Sequence, residues 1–251
     1  MLDDCIQAAH HVGLRRLRPL ASGQNLVLSG IWHGRRVVAK ARLQTHRRRL
    51  LKEQRWLERT AQIGIACPDV VTVLEDVDWI FLLLREHLPR RVRPWLPADW
   101  HAASVALQRL QVDAPGWGPL RADDQPRWQQ EGHALAWYRE QAARCGRPEL
   151  EDELHVTWRR RERGLIHGDL HPGNRIGDLL CDWEQVAVAD PLEDACRLAL
   201  ATGYNPRACI QAWGGEPGSD RARGALLRSV VEGATHRGPR HEQARRLLQL
   251  L

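Results

Sequence analysis

Asp169, Asn174 and Asp182 are the residues of this 251-residue chain whose types and spacing most directly suggest chemistry. They stand in Ile166-His167-Gly168-Asp169-Leu170-His171-Pro172-Gly173-Asn174 and in Cys181-Asp182-Trp183-Glu184. One carboxylate can orient a hydroxyl, while an amide oxygen and a second carboxylate suit a magnesium ion that keeps phosphate oxygens as its other ligands. Together they fit phosphoryl transfer from a metal-bound nucleotide. Between them, Gly177-Asp178 reads as a two-residue type II′ turn joining two short strands. Counting outward, Ile176 faces Leu179, Asn174 faces Cys181 and Gly173 faces Asp182. A ladder of that length brings Asn174 and Asp182 together at one magnesium site. Two other readings compete: a merely polar loop, and a metallohydrolase on His167, Asp169 and His171. The second leaves Asn174 and Asp182 without a role.

The interval from Asp169 to Asn174 is the one between the catalytic-loop aspartate and the metal-binding asparagine of protein kinases. The HGDLHPGN run and the following DWE resemble the aminoglycoside phosphotransferase and choline kinase-like family. The resemblance implies that Asp169 accepts the hydrogen of, and orients, a substrate hydroxyl. It implies that Asn174 and Asp182 hold magnesium bridging the phosphates of ATP, and that His167 braces the loop. Protein kinases carry Asp-Phe-Gly where this chain has Asp182-Trp183-Glu184, and no Ala-Pro-Glu follows. That difference points to the small-molecule branch. Asp190-Pro191-Leu192-Glu193-Asp194 also fits the family, with Asp194 buttressing the loop from the start of a helix. A simple helix cap accounts for Asp190 equally.

The elements that must position these groups begin upstream. Val27 to Trp32 is strand-like, and His33-Gly34 turns the chain into a second strand, Arg35 to Ala41. Counting from that turn sets Lys40 opposite Val27, just past the bend Ser22-Gly23-Gln24-Asn25. A flexible bend beside a cation suits triphosphate binding, although a plain hairpin explains the bend too. Lys40 closes Val37-Val38-Ala39-Lys40 and is one of only two lysines, with Lys52, among 37 basic residues. A compact ammonium kept where arginine is the default points to a phosphate or steric demand; the alternative is a lysine snorkelling into water. Thr45 is placed to cap a helix running to about Ile63, with Leu50, Glu53 and Leu57 on one face. An acid within an apolar stripe calls for a buried partner, and the resemblance makes that partner Lys40. Glu58 lies on a different face. Asp69 to Leu74 and Trp79 to Arg85 are further strands. Glu86, His87 and Leu88 then follow, where the family's hinge lends groups to the adenine.

Beyond the hinge the pattern is mainly helical. Helices are expected over Pro97 to Leu110, Arg127 to Cys145, Glu149 to Glu162, Leu192 to Leu200, Asp220 to Glu232 and Pro239 to Leu251, with a Pro- and Gly-rich loop at Asp113 to Pro119. The acids Glu149, Glu151, Asp152 and Glu153 suit either a first helical turn or an acidic wall for a cationic substrate.

Composition sets the outer bounds. Hydrophobic residues make up 43% and charged residues 27%, ordinary for a globular protein. The net charge of +6 rests on arginine. The short runs Arg47-Arg48-Arg49 and Arg159-Arg160-Arg161 lack neighbouring aromatic pairs, so no nucleic-acid partner is expected. The longest apolar run, Trp79 to Leu84, is too short to span a bilayer. Six cysteines without a CxxC pair fit free thiols in a cytoplasmic protein. Most of the eleven tryptophans are expected in packing.

The expected fold is α+β and protein-kinase-like. A small sheet-rich lobe covers about 1–85 and a larger helical lobe 86–251, with a hinge at 85–91 and ATP in the cleft. The expected activity is ATP- and magnesium-dependent phosphorylation of a hydroxyl on an amino-alcohol, a sugar or an aminoglycoside-type antibiotic. The alternative is a catalytically silent nucleotide-binding protein of the same fold.

Overall fold

The computed structural model describes residues 1–22, 25–86, 105, 133–235 and 240–250. The chain divides into two compact units, one of 1–92 with 176–184 and one of 93–175 with 185–251.

The first unit opens with helix α1 (Leu2–His11), followed by β1 (Arg15–Ser22), β2 (Leu26–Trp32) and β3 (Arg35–Leu43). Helix α2 (Arg47–Gln62) precedes β4 (Val70–Glu75) and β5 (Trp79–Arg85). The strands form one antiparallel sheet in the order β1-β2-β3-β5-β4. His33 and Gly34 both take positive φ, 47° and 78°, the two-residue turn that matches strand twist. That turn fixes the register, and Val27 pairs with Lys40 as the count from the sequence requires. Alternation along β3 then separates two faces. Val37, Ala39 and Ala41 join Cys5, Ala8 and Ala9 of α1 in one core. Lys40 and Arg42 point to the opposite face, where Lys40 meets Glu53 of α2. β5 is buried from Trp79 to Leu84, because its residues serve both faces.

Helix α2 starts one residue later than a Thr45 cap would set it, and Thr45 does not cap it. Gln44–His46 form a 3-10 turn. The Gln44 backbone N–H donates to Asp78 O (2.9 Å), and its side chain donates to Asp76 O and Trp79 O. Anchored there, the chain enters the helix only at Arg47. Neither α1 nor β1 was expected from the sequence.

The second unit is helical: α3 (Ala134–Arg144), α4 (Leu150–Trp158), α5 (Leu192–Thr202), α6 (Pro206–Ala212), α7 (Asp220–Thr235) and α8 (His241–Leu248). Tyr138, Ala142, Leu150, Leu154, Leu200, Leu227, Val230 and Val231 form its core. Helix α5 is buried on all sides from Leu192 to Leu200, as a central helix must be. Its charges are matched internally: Arg197 bonds to Glu193 (3.1 Å) and to Glu232 of α7 (2.9 Å), and Arg228 bonds to Glu193 (2.7 Å). Such pairing offsets the desolvation of charges that could not be buried singly.

Helix α4 ends at Trp158 and not near Glu162. The Glu162 N–H is taken by Asp190 Oδ2 (3.1 Å), and the chain passes into strand β6 (Gly164–Ile166), paired with β9 (Ala187–Ala189). Helix α8 is likewise shorter than the expected Pro239 to Leu251, and α6 lies where none was expected. The expected helix over Pro97 to Leu110 and the Asp113 to Pro119 loop lie outside the described residues, except for Val105. So do residues 127–132 of the helix expected to end at Cys145. No helix among the described residues is long and apolar enough to cross a membrane.

Candidate active site

Two constellations carry the sequence-predicted residues, one in each unit. In the first, Lys40 Nζ donates to both carboxylate oxygens of Glu53 (2.7 and 2.8 Å) and to Asp182 Oδ1 (2.8 Å). Glu53 is 1% exposed. Burial disfavours the Lys40 charge, but the facing Glu53 and Asp182 carboxylates outweigh it and hold the ammonium protonated. One ammonium cannot neutralise two acids. Glu53, the more buried, carries the desolvation, and burial lifts its carboxyl to about 7 against the pull of Lys40. Glu58, the other acid considered, is exposed.

Asp182 reaches this unit on a hairpin. β7 (Arg175–Ile176) and β8 (Leu179–Leu180) flank Gly177, whose φ is +60°. Leu180 N–H donates to Ala66 O (2.9 Å), and buried Trp183 donates through Nε1 to Leu180 O (2.9 Å). Asp182 itself has φ 64°, an uncommon conformation for a residue with a side chain. The ladder stops at Arg175 and Leu180 and does not continue to the expected Asn174–Cys181 and Gly173–Asp182 pairs. Residues Pro172–Asn174 are curled into a 3-10 turn, closed by Asn174 N–H on His171 O (2.9 Å).

Two residues absent from the sequence expectations complete the first constellation. Arg42 donates to Glu184 Oε1 and Oε2 (3.1 and 2.8 Å) and to Asn25 Oδ1, and Asn25 in turn reaches Glu184 Oε2 (3.4 Å). The signal was a shared offset: Arg42 lies two residues after Lys40 on the same strand face, and Glu184 two after Asp182. Carboxylate oxygens of Glu53, Asp182 and Glu184 lie within 4.8 Å of one another, the acidic group of metal-binding type among the described residues. His167, Asp169 and His171 form no such group among the described residues. Glu86, at the end of β5, pairs with Arg36 (3.5 Å). Gly23, His87 and Leu88 lie outside the described residues; Ser22 closes β1.

In the second unit, β6 delivers the chain to the loop around Asp169. Asp194, on the first turn of α5, accepts from His167 N–H (2.6 Å) and Gly168 N–H (3.0 Å). Burial raises the Asp194 carboxyl, opposed by the charge of Arg197. Gly168 has φ +84°, and a Cβ there would lie 2.2 Å from Gln185 O, so only glycine fits. His167 is fully buried, and its Nδ1 accepts from Asp169 N–H (3.4 Å). Asp190, just before α5, accepts from Leu192 N–H (3.1 Å) and also binds Arg221.

The Asp169 carboxylate is ringed by donors. Asn174 Nδ2 bonds to Asp169 O (2.8 Å) and Oδ2 (3.4 Å), His171 Nε2 lies 3.7 Å from Oδ2, and Arg240 Nη2 lies 3.4 Å from Oδ1. His171 Nδ1 accepts from Gly173 N–H (3.0 Å), which makes Nε2 the protonated nitrogen in a neutral ring. With Asn174 Nδ2 directed at Asp169, the Asn174 oxygen remains the side chain's acceptor. That oxygen and the Asp182 carboxylate are hard donors, as magnesium requires.

A sequence model of the phosphotransferase enzyme family (APH) matches residues 16–230. The chain belongs to this phosphotransferase family. No curated protein sequence matches the phosphotransferase. Solved structures share its fold at low identity. A candidate fructosamine-3-kinase from Haemophilus somnus 129PT aligns with TM-score 0.64 and 13% identity over 99% of this chain and 97% of that one. Macrolide 2′-phosphotransferase from Brachybacterium faecium aligns with TM-score 0.61 and 19% identity over 98% of each chain. The aminoglycoside phosphotransferase APH(3″)-Id of Streptomyces rimosus, solved with ADP and streptomycin, aligns with TM-score 0.59 and 18% identity over 92% and 98%. The phosphotransferase therefore has the α+β, protein-kinase-like fold expected from its sequence.

Proposed function

We propose that this phosphotransferase moves the γ-phosphoryl group of ATP to a hydroxyl of a small molecule, with magnesium. The observation that carries the proposal is the Lys40 ammonium held between Glu53 and Asp182, a fixed cation beside a metal-type carboxylate. Lys40 neutralises phosphate charge, and the Ser22-Gly23-Asn25 bend covers the phosphates. Glu86, His87 and Leu88 serve the adenine. Asn174 and Asp182 would hold the metal, and magnesium, when bound, would offset the charge of the phosphates.

Asp169 orients the acceptor hydroxyl. As the bond between the γ-phosphorus and the β–γ bridging oxygen breaks to leave ADP, a bond forms from the acceptor oxygen to phosphorus. The hydroxyl proton passes to the Asp169 carboxylate and then to solvent. The transition state is loose, so Asp169 acts chiefly by positioning, and its ring of donors suits that role.

The test is ATP consumption across a panel of hydroxyl compounds, with Asp169→Asn as control. Turnover that needs magnesium and falls on the order of 100-fold or more in the variant supports the proposal. Full turnover in Asp169→Asn contradicts the role of Asp169. Absence of any magnesium-dependent ATP binding removes the enzyme reading.

A further inference from the structure

Arg240 stands where the acceptor hydroxyl must come, yet neither the family resemblance nor the proposed mechanism uses it. It is the residue before α8, and its side chain is 14% exposed. Its Nη2 lies 3.4 Å from Asp169 Oδ1 and 3.7 Å from Glu232 Oε1. Glu232 is also bonded to Arg197 (2.9 Å), so it only partly offsets the Arg240 charge. Nη1 of Arg240 is buried with no hydrogen-bond partner among the described residues. A guanidinium has five N–H donors in a planar fork suited to carboxylate and phosphate. One arm of this fork is engaged with the Asp169 carboxylate, and the other carries donors that no described residue takes.

The surroundings point the same way. Among the described residues, the other side-chain groups facing the Asp169 carboxylate, Asn174 Nδ2 and His171 Nε2, are donors. Three of the four acids that could have formed a wall for a cationic substrate have arginine partners: Glu149 with Arg147, Glu151 with Arg139, and Glu153 with Arg223; the fourth, Asp152, is exposed. An ammonium beside the reacting hydroxyl would meet the Arg240 charge at close range, whereas an anion would be drawn to it.

We infer that the acceptor is a hydroxyl compound bearing a carboxylate or phosphate near the hydroxyl that is phosphorylated, and that Arg240 binds this anionic group. The inference rests on the phosphotransferase reading above and deepens it. Arg240 is thereby a specificity-determining residue.

The test compares acceptors matched in size. Glycerate and sugar acids carry a carboxylate, glycerol phosphate and sugar phosphates a phosphate, glycerol and hexoses no charge, and choline and amino sugars a positive charge. The expected result is a kcat/KM for one anionic class that exceeds the neutral class by about tenfold or more. Arg240→Gln is expected to raise KM for that anionic acceptor by on the order of 10- to 100-fold while KM for ATP holds. Arg240→Lys, which keeps the charge, should recover part of the loss. A melting curve of each variant separates misfolding from lost recognition. Preference for neutral or cationic acceptors, or an Arg240→Gln enzyme unchanged in acceptor KM, overturns the inference and leaves the phosphotransferase reading standing. No transfer to any anionic acceptor also overturns it, and magnesium-dependent ATP binding in the same sample then shows whether that wider reading falls with it.

Discussion

Lys40 shows how one side chain is fixed by chemistry from three parts of the chain. Strand β3 sets its direction, α2 supplies Glu53, and the hairpin after Asn174 supplies Asp182. The pair has a pH signature. The Glu53 carboxyl titrates at about 7 in the fold, raised by burial from its usual 4.5. A raised folded-state value means that the native state favours the protonated acid. The contribution of Glu53 to stability is therefore full below its ordinary value and is lost as pH rises through about 7. In Glu53→Gln that titration is gone, so the fall in Tm between about pH 5 and about pH 8 should be smaller than in the parent protein. Differential scanning fluorimetry across that range measures it. An equal or steeper fall in the variant would assign the titration to another group.

At the scale of elements, α5 acts as the rod against which the Asp169 loop is built. Asp194 at its first turn holds two backbone N–H groups, and Arg197 one turn on ties the same helix to α7. Asp194→Ala leaves both N–H groups buried without an acceptor, at about 1–3 kcal/mol each. The expected loss in unfolding free energy is thus about 2–6 kcal/mol by urea titration, together with loss of turnover. A change below about 0.5 kcal/mol would show that the loop holds itself.

For the whole molecule, the division into units has a thermodynamic consequence. The chain leaves the helical unit at Arg175, contributes Ile176–Glu184 to the sheet unit, and returns at Gln185. A chain built this way need not unfold in one two-state step. A ligand that binds only folded protein stabilises it by mass action, about 2.7 kcal/mol at a hundredfold excess over Kd. ATP with magnesium should therefore raise the Tm of at least one transition, and EDTA should reverse most of the rise. A shift insensitive to EDTA would argue against Asn174 and Asp182 as metal ligands.

What the sequence alone determined is local or periodic. The His33-Gly34 turn set the β2–β3 register, and with it the pairing of Val27 with Lys40, because a two-residue turn leaves no freedom in counting. The apolar run from Trp79 to Leu84 defined β5, and the HGDLHPGN and DWE runs defined the family. The stripe Leu50, Glu53, Leu57 marked Glu53 as an acid that needed a partner, and Lys40 is that partner. What only the tertiary structure decided depends on which surfaces meet. The ladder after Asn174 ends early because the Pro172–Asn174 turn curls the chain, and no alternation pattern reports that. Helix α1 is held in place by packing against the sheet and strand β1 by its ladder with β2, contacts that no local pattern reports. Arg42 meets Glu184 across 142 residues, and Arg240 meets Asp169 across 71. Among 35 arginines, residue type could not single out these two. Long-range ion pairs are selected by the folded geometry, because no spacing along the chain encodes them.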